Sequence, residues 1–476
     1  MAGVKYMKKL LAFFLTFNIL IVSVCTPLSA FAKTDALQNE AMYEVNEKVY
    51  ADAYMLINLD DSSFPVIAEK NKDKKKYPAS LTKIVTAMVT INNVPDLSAK
   101  TKVSKAAILA LAGTGAQVAG LEVGEEQTIE NLLYLTMVHS ACDACQVLGE
   151  YVGGTVDNFV SMMNDWVKSL GCENTNFVNP DGLHDENHYT TASDMAIITL
   201  EALKNEKFVQ IATTKSMNYK KYTFVHTNYM LDKFHITYYY EYAQGIKTGS
   251  TTEAGYCVIT KASKDGYNYL AVVMDSPIKK LKGIDTKCSF IDAKTLFDWA
   301  FDSLKYSTII RKNEIITELP VNNGKDADTV QLVAKDDITT LVPSSLDSSA
   351  VIVKPIDAPE SIDAPVTKGD EICKAEIIYA NKVIARATLV AAKTVELSTF
   401  LKIFNGIKSF FGNKFVLALL LILIVLAIAY IVFYAKKLKQ EKKRIAEKRR
   451  RQRELDDELN GYSNNDDYLP PPRKFR

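Results

Sequence analysis

Two short motifs carry residue types that together can perform acyl transfer: Ser80-Leu81-Thr82-Lys83 and Lys247-Thr248-Gly249. A serine hydroxyl becomes a nucleophile only when a neighbouring base takes its proton. A lysine can be that base only if its pKa falls from about 10.4 toward neutrality, through burial or a nearby cation. Pro78-Ala79-Ser80 is followed by Leu81, Ile84, Val85, Met88 and Val89, a helical recurrence that puts Ser80 on a first turn with Lys83 one turn on and on the same face. The positive helix end and a second cation at Lys247 are then the expected sources of the depressed Lys83 pKa. Ser-x-x-Lys recurs at Ser276-Pro277-Ile278-Lys279, but that copy follows the apolar run Tyr269 to Met274 and carries a proline. It reads as a strand ending in a basic surface loop.

The second motif lies in Gly245-Ile246-Lys247-Thr248-Gly249-Ser250-Thr251, followed by Glu253 to Val258, which reads as two strands about a tight turn. Lacking a Cβ, Gly249 would let a substrate backbone pair with this strand edge, with Lys247 and Thr248 holding its carboxylate.

With Ser-x-x-Lys and Lys-Thr-Gly in these contexts, the chain resembles the low-molecular-weight penicillin-binding proteins, the serine-type D-alanyl-D-alanine carboxypeptidases. Asn174 to Leu183, His188 to Ala196 and Gly245 to Tyr256 add to the likeness, which runs from about Tyr54 to Leu397. The resemblance implies an α+β fold of the penicillin-binding-protein/β-lactamase-like transpeptidase type, an antiparallel sheet flanked by helices. It also implies Ser80 as the acyl-ester nucleophile, Lys83 as proton acceptor and Ser140 as proton relay. Lys247, Thr248, Gly249 and Ser250 would bind substrate, and the N–H groups of Ser80 and Ser250 would form the oxyanion hole. Peptidoglycan stem peptides are the implied substrates, β-lactams the implied covalent inhibitors, and neither a cofactor nor a metal is required.

Two positions depart from the family pattern. The middle motif reads Ser140-Ala141-Cys142-Asp143-Ala144, with Cys142 where relatives carry asparagine. A thiol is a weaker donor and acceptor than an amide, and losing such a contact costs on the order of 1 to 3 kcal/mol. Ser289, before Phe290, falls where many relatives have a carboxylate-binding arginine; Lys282 and Lys287 are the candidate replacements.

The chain ends suggest location. Lys5, Lys8 and Lys9, the apolar run Leu10 to Val24 and Ala30-Phe31-Ala32 make residues 1–32 a secretory signal peptide, with Cys25 inside it. Residues 415–435 are apolar and uncharged, long enough at about 1.5 Å per residue to cross a hydrocarbon core of about 30 Å. The Lys/Arg-rich tail 436–476 marks the cytoplasmic side and leaves residues 33–413 outside. A basic run beside a span fixes topology and touches anionic lipid, so nucleic acid is not expected as a partner. The formal net charge of +1 therefore conceals a basic tail and a more acidic remainder.

Between the ends, 33–306 reads as the catalytic domain and 309–397 as a smaller all-β domain. Residues 398–413 form an amphipathic juxtamembrane segment, or the start of one longer helix. His184-Asp185-Glu186-Asn187-His188 resembles a zinc-protease motif only loosely, because it follows a turn sequence rather than opening a helix. Cys142 and Cys145 read as buried thiols or a local disulfide rather than a redox centre. The expected activity is removal of the terminal D-alanine from cell-wall pentapeptides. A catalytically impaired penicillin-binding scaffold and a β-lactamase are the alternatives.

Overall fold

A computed structural model of the chain describes residues 41–61 and 65–461. The expected signal peptide and the end of the basic tail lie outside these residues. Five strands make an antiparallel sheet: β1 (Ala53–Asn58), β2 (Val66–Lys70), β3 (Ala243–Thr251), β4 (Gly255–Lys264) and β5 (Tyr267–Ser276), in the order β2-β1-β5-β4-β3. Successive strand residues point to opposite faces. Met55, Ile57, Leu270 and Val272 therefore enter one apolar core, and Tyr54, Leu56, Ala271 and Val273 the other. Because both faces are covered, β1 and β5 are apolar at nearly every position rather than alternating.

The first core is closed by α1 (Lys83–Asn93), α2 (Ile129–Val138) and α3 (Cys142–Gly153), which bury Ile84, Val85, Leu132, Leu133 and Val147. The second is closed by α4 (Cys288–Ser303), through Phe290, Leu296, Phe297 and Ala300. The Ser276 tetrad is not a loop: Ser276 ends β5, fully buried, and its hydroxyl donates to Asp292, while Lys279 lies on the exposed hairpin strand Ile278–Leu281. The apolar run before Pro277 continues as a paired hairpin instead of breaking off.

Further along, Ile352–Ile356, Glu371–Tyr379, Lys382–Ala391, Thr329–Ala334, Ile315–Asn322 and Ile362–Asp363 form a six-stranded sheet in that spatial order. After it come two distinct helices, α5 (Thr399–Gly412) and α6 (Lys414–Gly461), separated by an extended Asn413. The single-long-helix alternative is thus set aside, whereas α6 itself runs past residue 435 and carries the first part of the basic tail in helical form. On α5, Phe400, Ile403, Phe404, Ile407, Phe410 and Phe411 are exposed.

Candidate active site

Ser80 lies on a short 3₁₀ turn, Ala79–Thr82, that runs directly into α1. Ala79 is held at φ +47° and Ser140 at φ +63°, left-handed conformations that cost a residue with a Cβ of order 1 to 3 kcal/mol and persist only where packing enforces them. The enforcement at Ala79 is visible in two glycines. A Cβ on Gly182 would stand 2.0 Å from the Ala79 carbonyl oxygen, and one on Gly249 would stand 2.7 Å from the Pro78 oxygen and 3.1 Å from the Ser80 nitrogen. Gly249 is therefore required by the turn carrying Ser80, which packs closely against β3. Among the described residues the edge of β3 has no strand partner.

The Lys83 ammonium, fully buried, donates to Ser80 Oγ at 2.9 Å, to the Asp181 carbonyl at 2.5 Å and to Cys142 Sγ at 3.4 Å. Lys247, also fully buried, donates to Ser140 Oγ and to its neighbour's carbonyl, Thr248 O, both at 2.9 Å. Ser140 is thus tied to Lys247. Thr248 Oγ1 donates to Thr227 Oγ1 at 2.6 Å. These groups meet in a cleft of about 720 Å³ lined by Ser80, Ser140, Cys142, Thr227, Thr248 and Ser250, among others.

The electrostatics differ from expectation in one respect. Burial, joined by the Lys83 ammonium, pushes Lys247 well below the usual lysine range. Burial acts on Lys83 in the same direction, but Cys142, Cys145 and Asp181 outweigh it and hold Lys83 above its ordinary value. Burial also raises both thiols, which are neutral at pH 7, so support from sulfur anions is absent there. The two lysines consequently titrate as a coupled pair that sheds a proton more readily than two isolated ammonium groups.

Several positioning groups escaped the motifs. The Asp143 carboxylate accepts from the backbone N–H of Ala119 at 2.9 Å and of Gly120 and Leu121 at 3.0 Å, and the Cys142 N–H donates to the Gln117 carbonyl at 2.7 Å. These bonds fix the wall segment Thr114–Gln117 to the turn that carries Ser140. His188 Nδ1 accepts from the Val178 N–H, so Nε2 carries the proton and donates to Thr82 Oγ1, which donates onward to the Ala79 carbonyl. Burial lowers His188 to about 4, keeping it neutral. His184 instead meets the Tyr77 ring edge-on, so the two histidines serve different partners. Asn179-Pro180-Asp181-Gly182 reads as a turn, but nothing in it foretold that the Asp181 carbonyl would receive Lys83. Ser289 lines the cleft with its hydroxyl buried and without a hydrogen-bond partner among the described residues. Lys287, not Lys282, is the cation that reaches the cleft, lying 4.6 Å from the Tyr229 ring centroid. The six cysteines among the described residues are free thiols.

A nucleophile-bearing helix turn facing the edge strand of an antiparallel sheet, with a buried lysine on each, defines a serine acyl-transfer enzyme of the penicillin-binding class. Residues 39–278 match the D-alanyl-D-alanine carboxypeptidase family model, and residues 305–397 match that of the penicillin-binding protein 5 C-terminal domain. The chain belongs to the D-alanyl-D-alanine carboxypeptidase family, a family of serine peptidases. It is 30% identical to the D-alanyl-D-alanine carboxypeptidase DacF of Bacillus subtilis over 355 residues, covering 72% of this chain and 84% of that one. Identity to DacA of Escherichia coli K12 is 27% over 338 residues, covering 68% and 78%. The solved structure of penicillin binding protein 5 from Haemophilus influenzae superposes with a TM-score of 0.55 at 28% identity, covering 74% of this chain and 98% of that one.

Proposed function

We propose that this enzyme removes the terminal D-alanine from peptidoglycan pentapeptides through an acyl-Ser80 intermediate. The observation that carries the reading is the 2.9 Å bond between Lys83 Nζ and Ser80 Oγ at the floor of the cleft. In its neutral form Lys83 takes the Ser80 proton as Oγ attacks the penultimate D-alanine carbonyl carbon. The N–H groups of Ser80 and Ser250 receive the oxyanion. The C–N bond then breaks as the proton taken by Lys83 passes through the Ser140 hydroxyl, itself held by Lys247, to the leaving amine. Water attacks the ester in the second half, returning the proton to Ser80 and releasing the shortened peptide. Thr248 and Lys287 hold the substrate carboxylate. β-Lactams acylate the same serine, and no cofactor or metal takes part.

The apolar part of α6 anchors the enzyme as a single span, with the catalytic residues outside the cell and the basic tail in the cytoplasm, and α5 lies along the membrane interface. Its length, its uncharged apolar composition and the basic residues that follow support this reading.

The test is intact mass of the full-length protein in detergent after incubation with a penicillin, beside Ser80→Ala, while D-alanine release from a pentapeptide is followed. A single penicilloyl adduct lost in Ser80→Ala, together with release, is the expected result. An adduct without release would favour the impaired-scaffold reading, for which Cys142 and the buried, unpartnered Ser289 hydroxyl speak. Accumulation of hydrolysed penicillin would point to a β-lactamase.

A further inference from the structure

Lys83 and Lys247 are fully buried, and among the described residues their hydrogen-bond partners are hydroxyls, carbonyl oxygens and a thiol, with no carboxylate. A buried ammonium group without a compensating charge is costly. The same cleft holds the converse case. Asp181 is buried, and its carboxylate accepts from the Gln146 side-chain amide at 2.7 Å and from the Leu183 N–H at 3.0 Å, both neutral donors. The two uncompensated charges meet at one residue, because Lys83 Nζ reaches the carbonyl of Asp181 itself.

Residues 180–182 are docked on the elements that carry Ser80 and Lys83. Thr86, on α1, donates from Oγ1 to the Pro180 carbonyl at 2.6 Å, Lys83 donates to that of Asp181, and Gly182 lies against the Ala79 carbonyl. Gln146, on α3 one turn beyond Cys142, holds the Asp181 carboxylate. Asp181 stands among the groups that keep Lys83 above its ordinary value. The other ionisable groups facing the two lysines supply no such charge. Burial keeps the Cys142 and Cys145 thiols and the His139, His188 and His226 imidazoles in their neutral forms at pH 7. The Asp143 carboxylate is taken up by the N–H groups of Ala119, Gly120, Leu121 and Ala144.

We propose that Asp181 is a positioning residue for the acyl-transfer base: held by Gln146, its carboxylate supplies the buried negative charge that Lys83 lacks, and its peptide fixes where the Lys83 nitrogen stands. The inference rests on the acyl-Ser80 reading of the cleft. A nearby opposite charge favours the protonated form of a lysine, so Asp181 makes Lys83 a stronger base that gives up its own proton at higher pH.

The experiment follows acylation of Ser80 by a fluorescent penicillin against pH, on full-length protein in detergent, with thermal melting as the check on folding. Asp181→Asn keeps the shape of the side chain, and the Gln146 amide can turn to bond it. Loss of the charge should move the acid limb of the second-order rate down by about one unit or more, so that the variant outpaces the wild type on that limb. The plateau rate should fall, because the base is weaker. Gln146→Leu leaves the charge and removes its clamp, and should slow acylation at least about ten-fold without moving the limb down. An acid limb that stays in place or moves up in Asp181→Asn would overturn the proposal. If that variant does not fold, Gln146→Leu decides: slowed acylation by folded protein upholds the proposal, and a wild-type rate overturns it. If the wild type forms no adduct, the acyl-Ser80 reading falls and takes the proposal with it.

Discussion

Cys142 places its sulfur 3.4 Å from the catalytic-lysine candidate, at the lip of the cleft. A thiol there accepts weakly from Lys83 and offers a substrate carbonyl far less than the two N–H donors of an amide. We expect Cys142→Asn to speed D-alanine release by up to about one to two decades, the equivalent of about 1 to 3 kcal/mol at the transition state. Steady-state rates with a pentapeptide measure this, and an unchanged rate would mean that the sulfur does not limit turnover. Motif chemistry made Ser80, Lys83 and Lys247 legible in the chain because each type is needed at a fixed spacing. The partner of Ser140 was not legible. Which of two lysines a hydroxyl meets depends on the left-handed turn at residue 140, a conformation for which serine carries no sequence signal.

At the scale of elements, the nucleophile is placed by close packing of a 3₁₀ turn on β3, with Gly249 at the contact. The apolar strands β1 and β5 and the helical recurrence after Ser80 could be read from periodicity, since burial on one or both faces writes itself into residue type. The reason for Gly249 could not, because a glycine needed for a neighbouring backbone looks the same in a sequence as one needed for a ligand. Gly249→Ala distinguishes them. A Cβ 2.7 Å from the Pro78 oxygen must displace the turn that carries Ser80, and overpacking of this kind costs about 1 to 3 kcal/mol. The variant is expected to show a lower melting temperature together with penicillin acylation slowed at least about ten-fold. Slower peptide turnover with normal acylation and melting would instead mean that the glycine serves the substrate.

For the molecule as a whole, α6 is long and apolar enough to cross a bilayer, and the charges after it set the direction of the proposed anchor. In intact protoplasts, added protease should degrade the catalytic region, while an epitope at the C-terminus survives until the membrane is permeabilised. Loss of the epitope in intact cells would reverse the orientation. Anchoring also gives the unpaired edge of β3 a further significance. Most proteins conceal a bare strand edge, because it is a template for pairing with another copy of itself. On the proposed reading the edge stays uncovered for substrate, and tethering would crowd many copies onto one surface. The edge is set in the cleft wall, which polar Thr248, Ser250 and Thr251 line together with the segment Thr114–Gln117. A slender peptide can enter such a recess and a second folded domain cannot, so on the proposed substrate reading one shape would admit the peptide and bar edge-to-edge pairing of neighbouring copies.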